Sequence, residues 1–110
     1  MKNRKYIGEL EEVILLMVVI LQENAYGVAI TQQIEQQLDR KLSISAVHAT
    51  LHRLAEKGYV DSYMGGVTTE RGGRRKRYFK ITAGGSKVLQ EIQDARTTLW
   101  SQVPPNAFAT

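Results

Sequence analysis

Nine consecutive residues, Val13 to Leu21, are all apolar. A span of the bilayer needs about 20 such residues, so this run is not a membrane helix. Leu10, Val13, Ile14, Met17 and Leu21 recur at helical spacing, which predicts a helix from Gly8 to about Glu23. Val18, Val19 and Ile20 fill its remaining faces. A helix apolar all round is buried on more than one side. In a chain of 110 residues it is expected to meet both its own core and a second subunit. Leu10, Val13, Ile14 and Met17 are therefore expected at a dimer interface. Lys2, Arg4 and Lys5 imitate the start of a secretory leader, but Glu9, Glu11 and Glu12 interrupt the apolar stretch it would need. The chain has no cysteine, which excludes disulfides, zinc ribbons and thiol nucleophiles. A cytoplasmic protein with no membrane partner is expected.

The rest of the chain divides cleanly. A second helix is predicted over Val28 to Leu38, with Ile30, Ile34 and Leu38 on one stripe. Ser43 suits the N-cap of a third helix. Ile44, Val47, Leu51 and Leu54 form its core stripe, and Ser45, Ala49, His52, Arg53 and Glu56 lie opposite, with His48 and Thr50 on the flanks. Gly58 is placed to end it. Tyr59 to Met64 reads as a strand, Gly65 to Gly73 as a glycine-rich turn, and Arg77 to Ile81 as the return strand. In the return strand Phe79 and Ile81 are expected inward, Tyr78 and Lys80 outward. Thr82 can cap a last helix from about Ala83 to Gln102. Val88, Ile92, Ala95 and Leu99 make a short heptad seam there, of the kind that pairs with another helix. Pro104 and Pro105 stop it, and the tail to Thr110 is expected to be loose.

Charge is concentrated in one place. Arg71, Arg74, Arg75, Lys76, Arg77 and Lys80 lie within ten positions, with no acid among them. These six exceed the formal net charge of +4, so the remainder of the chain is net negative. A local strip of this kind points to a polyanionic partner.

The element order is helix, helix, helix, hairpin, helix. A short third helix feeding directly into a basic hairpin is the layout of a winged helix-turn-helix. The fold class expected is mainly α with a small antiparallel β-hairpin, plus a C-terminal dimerisation helix. A helix with small and polar outward residues can enter the major groove of double-stranded DNA, and an arginine-rich hairpin can lie on its backbone or in the minor groove. Ser45, His48, Ala49, His52 and Arg53 are the candidate groove contacts. Arg71, Arg74, Arg75, Lys76 and Arg77 are the candidate wing contacts, though strand alternation prevents all from facing DNA together.

Several ordered segments are also recognisable: Gly8-Glu9-Leu10-Glu11-Glu12, Ala25-Tyr26-Gly27-Val28, the run from Ser45 to Leu54, and Glu56-Lys57-Gly58-Tyr59-Val60. They are followed by Glu70 to Lys76, then Tyr78 and Thr82. Together, over roughly residues 8 to 90, they resemble the PadR family of bacterial transcriptional regulators, in its short form with one helix after the wing. The resemblance implies a homodimeric repressor acting on an inverted-repeat operator, relieved in some members by a small planar or drug-like effector. It further implies a DNA-binding domain over 1–82 with a loose lead-in at 1–7, a dimerisation helix over 83–103 and a flexible tail over 104–110. Two positions depart from the family pattern. His48 stands where a tyrosine near the DNA backbone is common, and Ala83 where a proline often follows the threonine.

Other readings of the same residues are weaker. His48 and His52 have a metal-ligand spacing, but no further ligand set accompanies them, so no metal and no cofactor is expected. The glycine pairs do not form a phosphate-binding loop, because GxxxxGK[ST] is absent. No acid, base and nucleophile stand in a recognisable order, so the chain is not expected to be an enzyme. Trp100, the single tryptophan, is expected to pack at the dimer interface or against an effector. The rival to a regulator is a winged-helix module that docks an acidic protein through the same strip.

Overall fold

The computed structural model of the chain describes residues 7–65 and 75–108. Helix α1 (Glu9–Leu21) begins with a return bond, the Gly8 N–H donating to the Glu11 carboxylate at 2.8 Å. Ile14, Leu15, Met17 and Val18 are buried, while Leu16, Val19 and Ile20 face outward. The helix is apolar on both sides, as expected, but Ile14 and Met17 are on the inner side. Expected at a subunit interface, both fill the core instead, because α1 packs on the second, third and last helices and on the hairpin. Leu10 and Val13 are half-buried at the core's edge. α1 ends at Leu21, earlier than Glu23, and a 3-10 turn over Gln22–Asn24 follows.

α2 (Gly27–Leu38) buries Ile30 and Ile34. Leu38, the third member of the expected stripe, is half exposed at the helix end. α3 (Ile44–Glu56) is capped by Ser43, whose Oγ accepts the Ala46 N–H at 3.0 Å. Val47, Leu51 and Leu54 are fully buried; Ile44, in the first turn, is partly exposed. The helix closes on Gly58 at φ 80°, a left-handed conformation that glycine adopts without strain. The Gly58 N–H bonds the Ala55 carbonyl and the Tyr59 N–H bonds the Leu54 carbonyl, which is the Schellman closure.

Strands β1 (Val60–Gly65) and β2 (Lys76–Ile81) pair antiparallel, with Ser62 opposite Phe79, Tyr63 opposite Tyr78 and Gly65 opposite Lys76. Tyr26 adds an antiparallel bridge to Tyr78, and the Phe79 N–H donates to the Ala25 carbonyl at 2.9 Å. This contact roots the hairpin beside the start of α2. Phe79 is buried and Ile81 half-buried. Tyr78 was expected outward and is half-buried instead, because Tyr26 meets its ring edge-on and Tyr63 stacks on it. The glycine-rich turn beyond Gly65, with Gly66, Gly72 and Gly73, and lead-in residues 1–6 lie outside the described residues.

α4 (Ala83–Ser101) is tied to the body at its first turn. Thr82 Oγ1 donates to the Gly58 carbonyl at 2.6 Å and accepts the Gly85 N–H at 3.0 Å. Gly85 packs directly on the Tyr59 carbonyl, so closely that a side chain would overlap it. The seam then leaves the core step by step: Val88 is buried, Ile92 half-buried, Ala95 and Leu99 exposed. Val88 thus belongs to the chain's own core and not to a free helix face. Beyond α4, the segment expected to be loose carries a turn. The Ala107 N–H donates to the Pro104 carbonyl, and Phe108 lies 6.1 Å from Trp100, ring centre to ring centre. The four helices and hairpin make a mainly helical, winged helix-turn-helix chain.

Candidate nucleic-acid interface

α3 supplies the first half of the surface. Its buried stripe anchors it on α1 and α2, and this leaves Ser45, His48, Ala49, His52 and Arg53 exposed on the other side. Ser45 and Ala49 present small groups, as close approach to a groove requires. His52 Nε2 lies 3.6 Å from Glu56 one turn on, both well exposed. Thr50, placed on a flank by its spacing, is buried. Its hydroxyl donates to the Ala46 carbonyl at 2.9 Å and accepts from Arg53 Nη2 at 3.0 Å.

Arg53 is thereby held on one side. Its Nε also lies 3.8 Å from Glu11. Glu11 is buried, and Lys57 Nζ donates to both its oxygens at 3.0 and 2.9 Å. Burial alone raises a carboxyl pKa. Here the Lys57 hydrogen bond, the Gly8 N–H and the charges of Lys57 and Arg53 outweigh it and hold Glu11 below the ordinary glutamate value. The group is ionised at neutral pH and compensated, so it does not leave a bare negative charge under α3.

The hairpin supplies the second half. Arg75, Lys76 and Arg77 are exposed. Lys76 and Arg77 point to opposite faces, as adjacent strand residues must. Lys76 Nζ sits 4.2 Å over the Tyr26 ring, within cation–π range. Arg77 Nη1 donates to Ser62 Oγ, diagonally placed on β1, at 3.0 Å. Arg71 and Arg74 lie outside the described residues.

The two halves meet at the start of α2. Lys76 covers Tyr26, Tyr26 precedes Gly27, and the His48 ring lies against Gly27. Sequence periodicity assigned Tyr26 and Gly27 no role in the site. The pairing of Tyr63 with Tyr78 on one hairpin face was available as a signal, whereas the Tyr26 bridge joins residues far apart in the chain.

The dimerisation candidates are spread over two surfaces. On α4, Ala95, Leu99 and Trp100 are exposed, and Arg96 Nη2 bonds Glu12 of α1 at 2.9 Å. Gln93, Arg96, Thr97, Trp100 and Ser101 line an open depression on this helix. Among the described residues, no cluster of three metal-ligating side chains occurs, and no helix is long and apolar enough to cross a membrane.

Residues 15–91 match the model of the Transcriptional regulator PadR-like family. An uncharacterised protein of Lysinibacillus sphaericus is 33% identical over 87 residues, covering 77% of this chain and 75% of its own. A transcriptional regulator from Clostridium thermocellum has a similar structure, with TM-score 0.67 and 23% identity over 92% of this chain and 93% of that one. The Bacillus subtilis protein PadR, solved in complex with operator DNA, aligns with TM-score 0.62 and 20% identity, covering 76% of this chain and 46% of that one.

Proposed function

Because the chain belongs to the Transcriptional regulator PadR-like family, whose members are DNA-binding regulators and not enzymes, we propose that it is a homodimeric repressor of an inverted-repeat operator. Each subunit places α3 in a major groove, with Ser45, His48, Ala49 and His52 toward the bases and backbone. Arg75, Lys76 and Arg77, together with Arg71 and Arg74, run along the adjoining phosphates. Arg53, held by Thr50 and Glu11, contributes charge at the edge of this surface. The observation that carries the reading is the convergence of the exposed α3 face and the basic hairpin at Tyr26 and Gly27. The operator complex of B. subtilis PadR supports DNA as the partner.

The dimer forms through α4 and α1. The expected contacts Leu10, Val13, Ile92, Ala95 and Leu99 remain accessible to a partner in whole or part, and Leu16, Val19 and Ile20 extend the same apolar surface on α1. Ile14, Met17 and Val88 support this interface from beneath. A planar effector would sit against Trp100 in the α4 depression and alter the separation of the two α3 helices. The protein acts in the cytoplasm, where its DNA is. The dividing lines run at 82 and 103, between DNA-binding domain, dimerisation helix and tail.

A gel-shift with the DNA upstream of the protein's own gene tests this. The expected complex survives excess random competitor and weakens when Arg74 and Arg75 become Ala. A complex abolished by competitor would contradict the regulator and favour an acidic protein as partner.

A further inference from the structure

We infer that Gly27 is a positioning residue for DNA binding, because its missing side chain is the space in which the His48 imidazole rests. This rests on the reading of α3 as the DNA-contacting helix. A Cβ at position 27 would lie 2.5 Å from His48 Nε2, 2.8 Å from Cε1 and 3.3 Å from Cδ2. These are its three nearest neighbours, so the obstacle is one ring and not backbone. Such approaches are shorter than van der Waals contact, and one partner must move.

Gly27 cannot be the one. Just before it, the Phe79 N–H holds the Ala25 carbonyl at 2.9 Å and Tyr26 is bridged to Tyr78. Just after, the Ile30 N–H holds the Tyr26 carbonyl at 2.9 Å, and Thr31 Oγ1 donates to the Gly27 carbonyl at 2.8 Å. His48 is also fixed at its backbone, one residue after fully buried Val47. Its ring is free to swing about two torsions, and it makes no side-chain hydrogen bond among the described residues. The methyl of an alanine at 27 would therefore turn the imidazole off the start of α2. Gly27 is the first residue of a helix with no left-handed backbone requirement, so alanine is compatible with the fold.

The arrangement selects what side chain can stand at position 48 and where it points. With glycine at 27, the ring lies against the first residue of α2, directly after the Tyr26 that Lys76 covers, adding a donor where the hairpin and α3 adjoin. With alanine, that donor is displaced while Lys76, Arg75 and the rest of α3 remain in place.

The test uses the full chain and a fluorescent duplex that the wild-type protein selects from a random-sequence pool. Gly27→Ala, His48→Ala and the double variant are compared by anisotropy, with thermal unfolding as control. The expected result is that each single change weakens binding by about three- to tenfold, as for one lost polar contact, and that the double change is no worse than His48→Ala. Additive losses, or an unaffected Gly27→Ala, would overturn the inference. If Gly27→Ala does not fold, the double variant is expected to fold, and its failure to do so overturns the inference too. The ring resonances of His48 in the free protein separate this claim from the functional reading. They are identified by their loss in His48→Ala, and they shift in Gly27→Ala if the packing is as described, whether or not any duplex is selected. Unshifted resonances overturn the inference; failure to select a duplex overturns the functional reading.

Discussion

Glu11 shows how one buried carboxylate can organise a small chain. It caps α1 through Gly8, receives Lys57 from the end of α3 and faces Arg53. Replacing it with Gln leaves the lysine without its counter-charge, and urea unfolding at neutral pH should show a loss of about 2 kcal/mol. The sign of the pH effect follows from its lowered pKa. The unfolded chain binds the proton more tightly, so Glu11 contributes fully above the ordinary glutamate value of about 4.3 and progressively less as pH falls through the lowered value. The difference between wild type and Glu11→Gln should shrink over that range, and a difference independent of pH would contradict the assignment. Gly85 makes a second prediction. A methyl there meets the Tyr59 carbonyl and comes within 2.7 Å of Ile81 Cγ1, so Gly85→Ala should cost about 2 kcal/mol in thermal unfolding, as overpacked sites do. A variant as stable as wild type would show that α4 can slide on β1.

At the scale of elements, the helices were legible from apolar spacing, and α3 and α4 also from their caps. Ser43, Gly58 and Thr82 mark boundaries that the backbone uses. Which face of α1 turns inward was not legible. Apolar residues surround the helix, so only tertiary packing separates Ile14 and Met17 from Leu16, Val19 and Ile20. The half-burial of Tyr78 escaped for a related reason. It depends on a partner from another element, Tyr26, whose bridge to Tyr78 leaves no local pattern. The exposed set on α3 followed from its narrow stripe, as did the basic hairpin from its charge. The two elements should act differently. Arg75→Ala or Arg77→Ala should weaken binding on every duplex and reduce the salt slope by about 1 each. Ser45→Ala should instead relax the preference at one base position. Equal behaviour in the two classes would contradict the division of labour between wing and helix.

The whole molecule is longer than its own core requires. Its radius of gyration is 16.7 Å, against about 13 Å for a compact chain of 100 residues, and its longest extent is 59 Å. The excess is α4, whose second half carries Leu99 and Trp100 at 65% exposure. In the proposed function a second copy covers it, as the heptad seam and a two-fold operator would both require. Leu99→Glu should give a folded monomer in sedimentation equilibrium, with operator binding lost. A dimer that persists would move the interface elsewhere. On the proposed reading, the dimer's geometry would set the DNA it recognises, with half-sites about one helical turn apart, and about six neutralised phosphates would give a salt slope near −5.

In the proposed complex, two α3 helices, related by a two-fold axis and flanked by basic wings, read one palindrome. An anisotropy titration of the protein against its selected duplex probes this arrangement. The same titration is run with one half-site scrambled and again with both scrambled, each over a range of salt. A steep loss of affinity is expected with the first scrambling, a further loss with the second, and a persistent salt-dependent residue of binding. Equal affinity for all three duplexes would contradict it, leaving only the attraction of a basic strip for any polyanion.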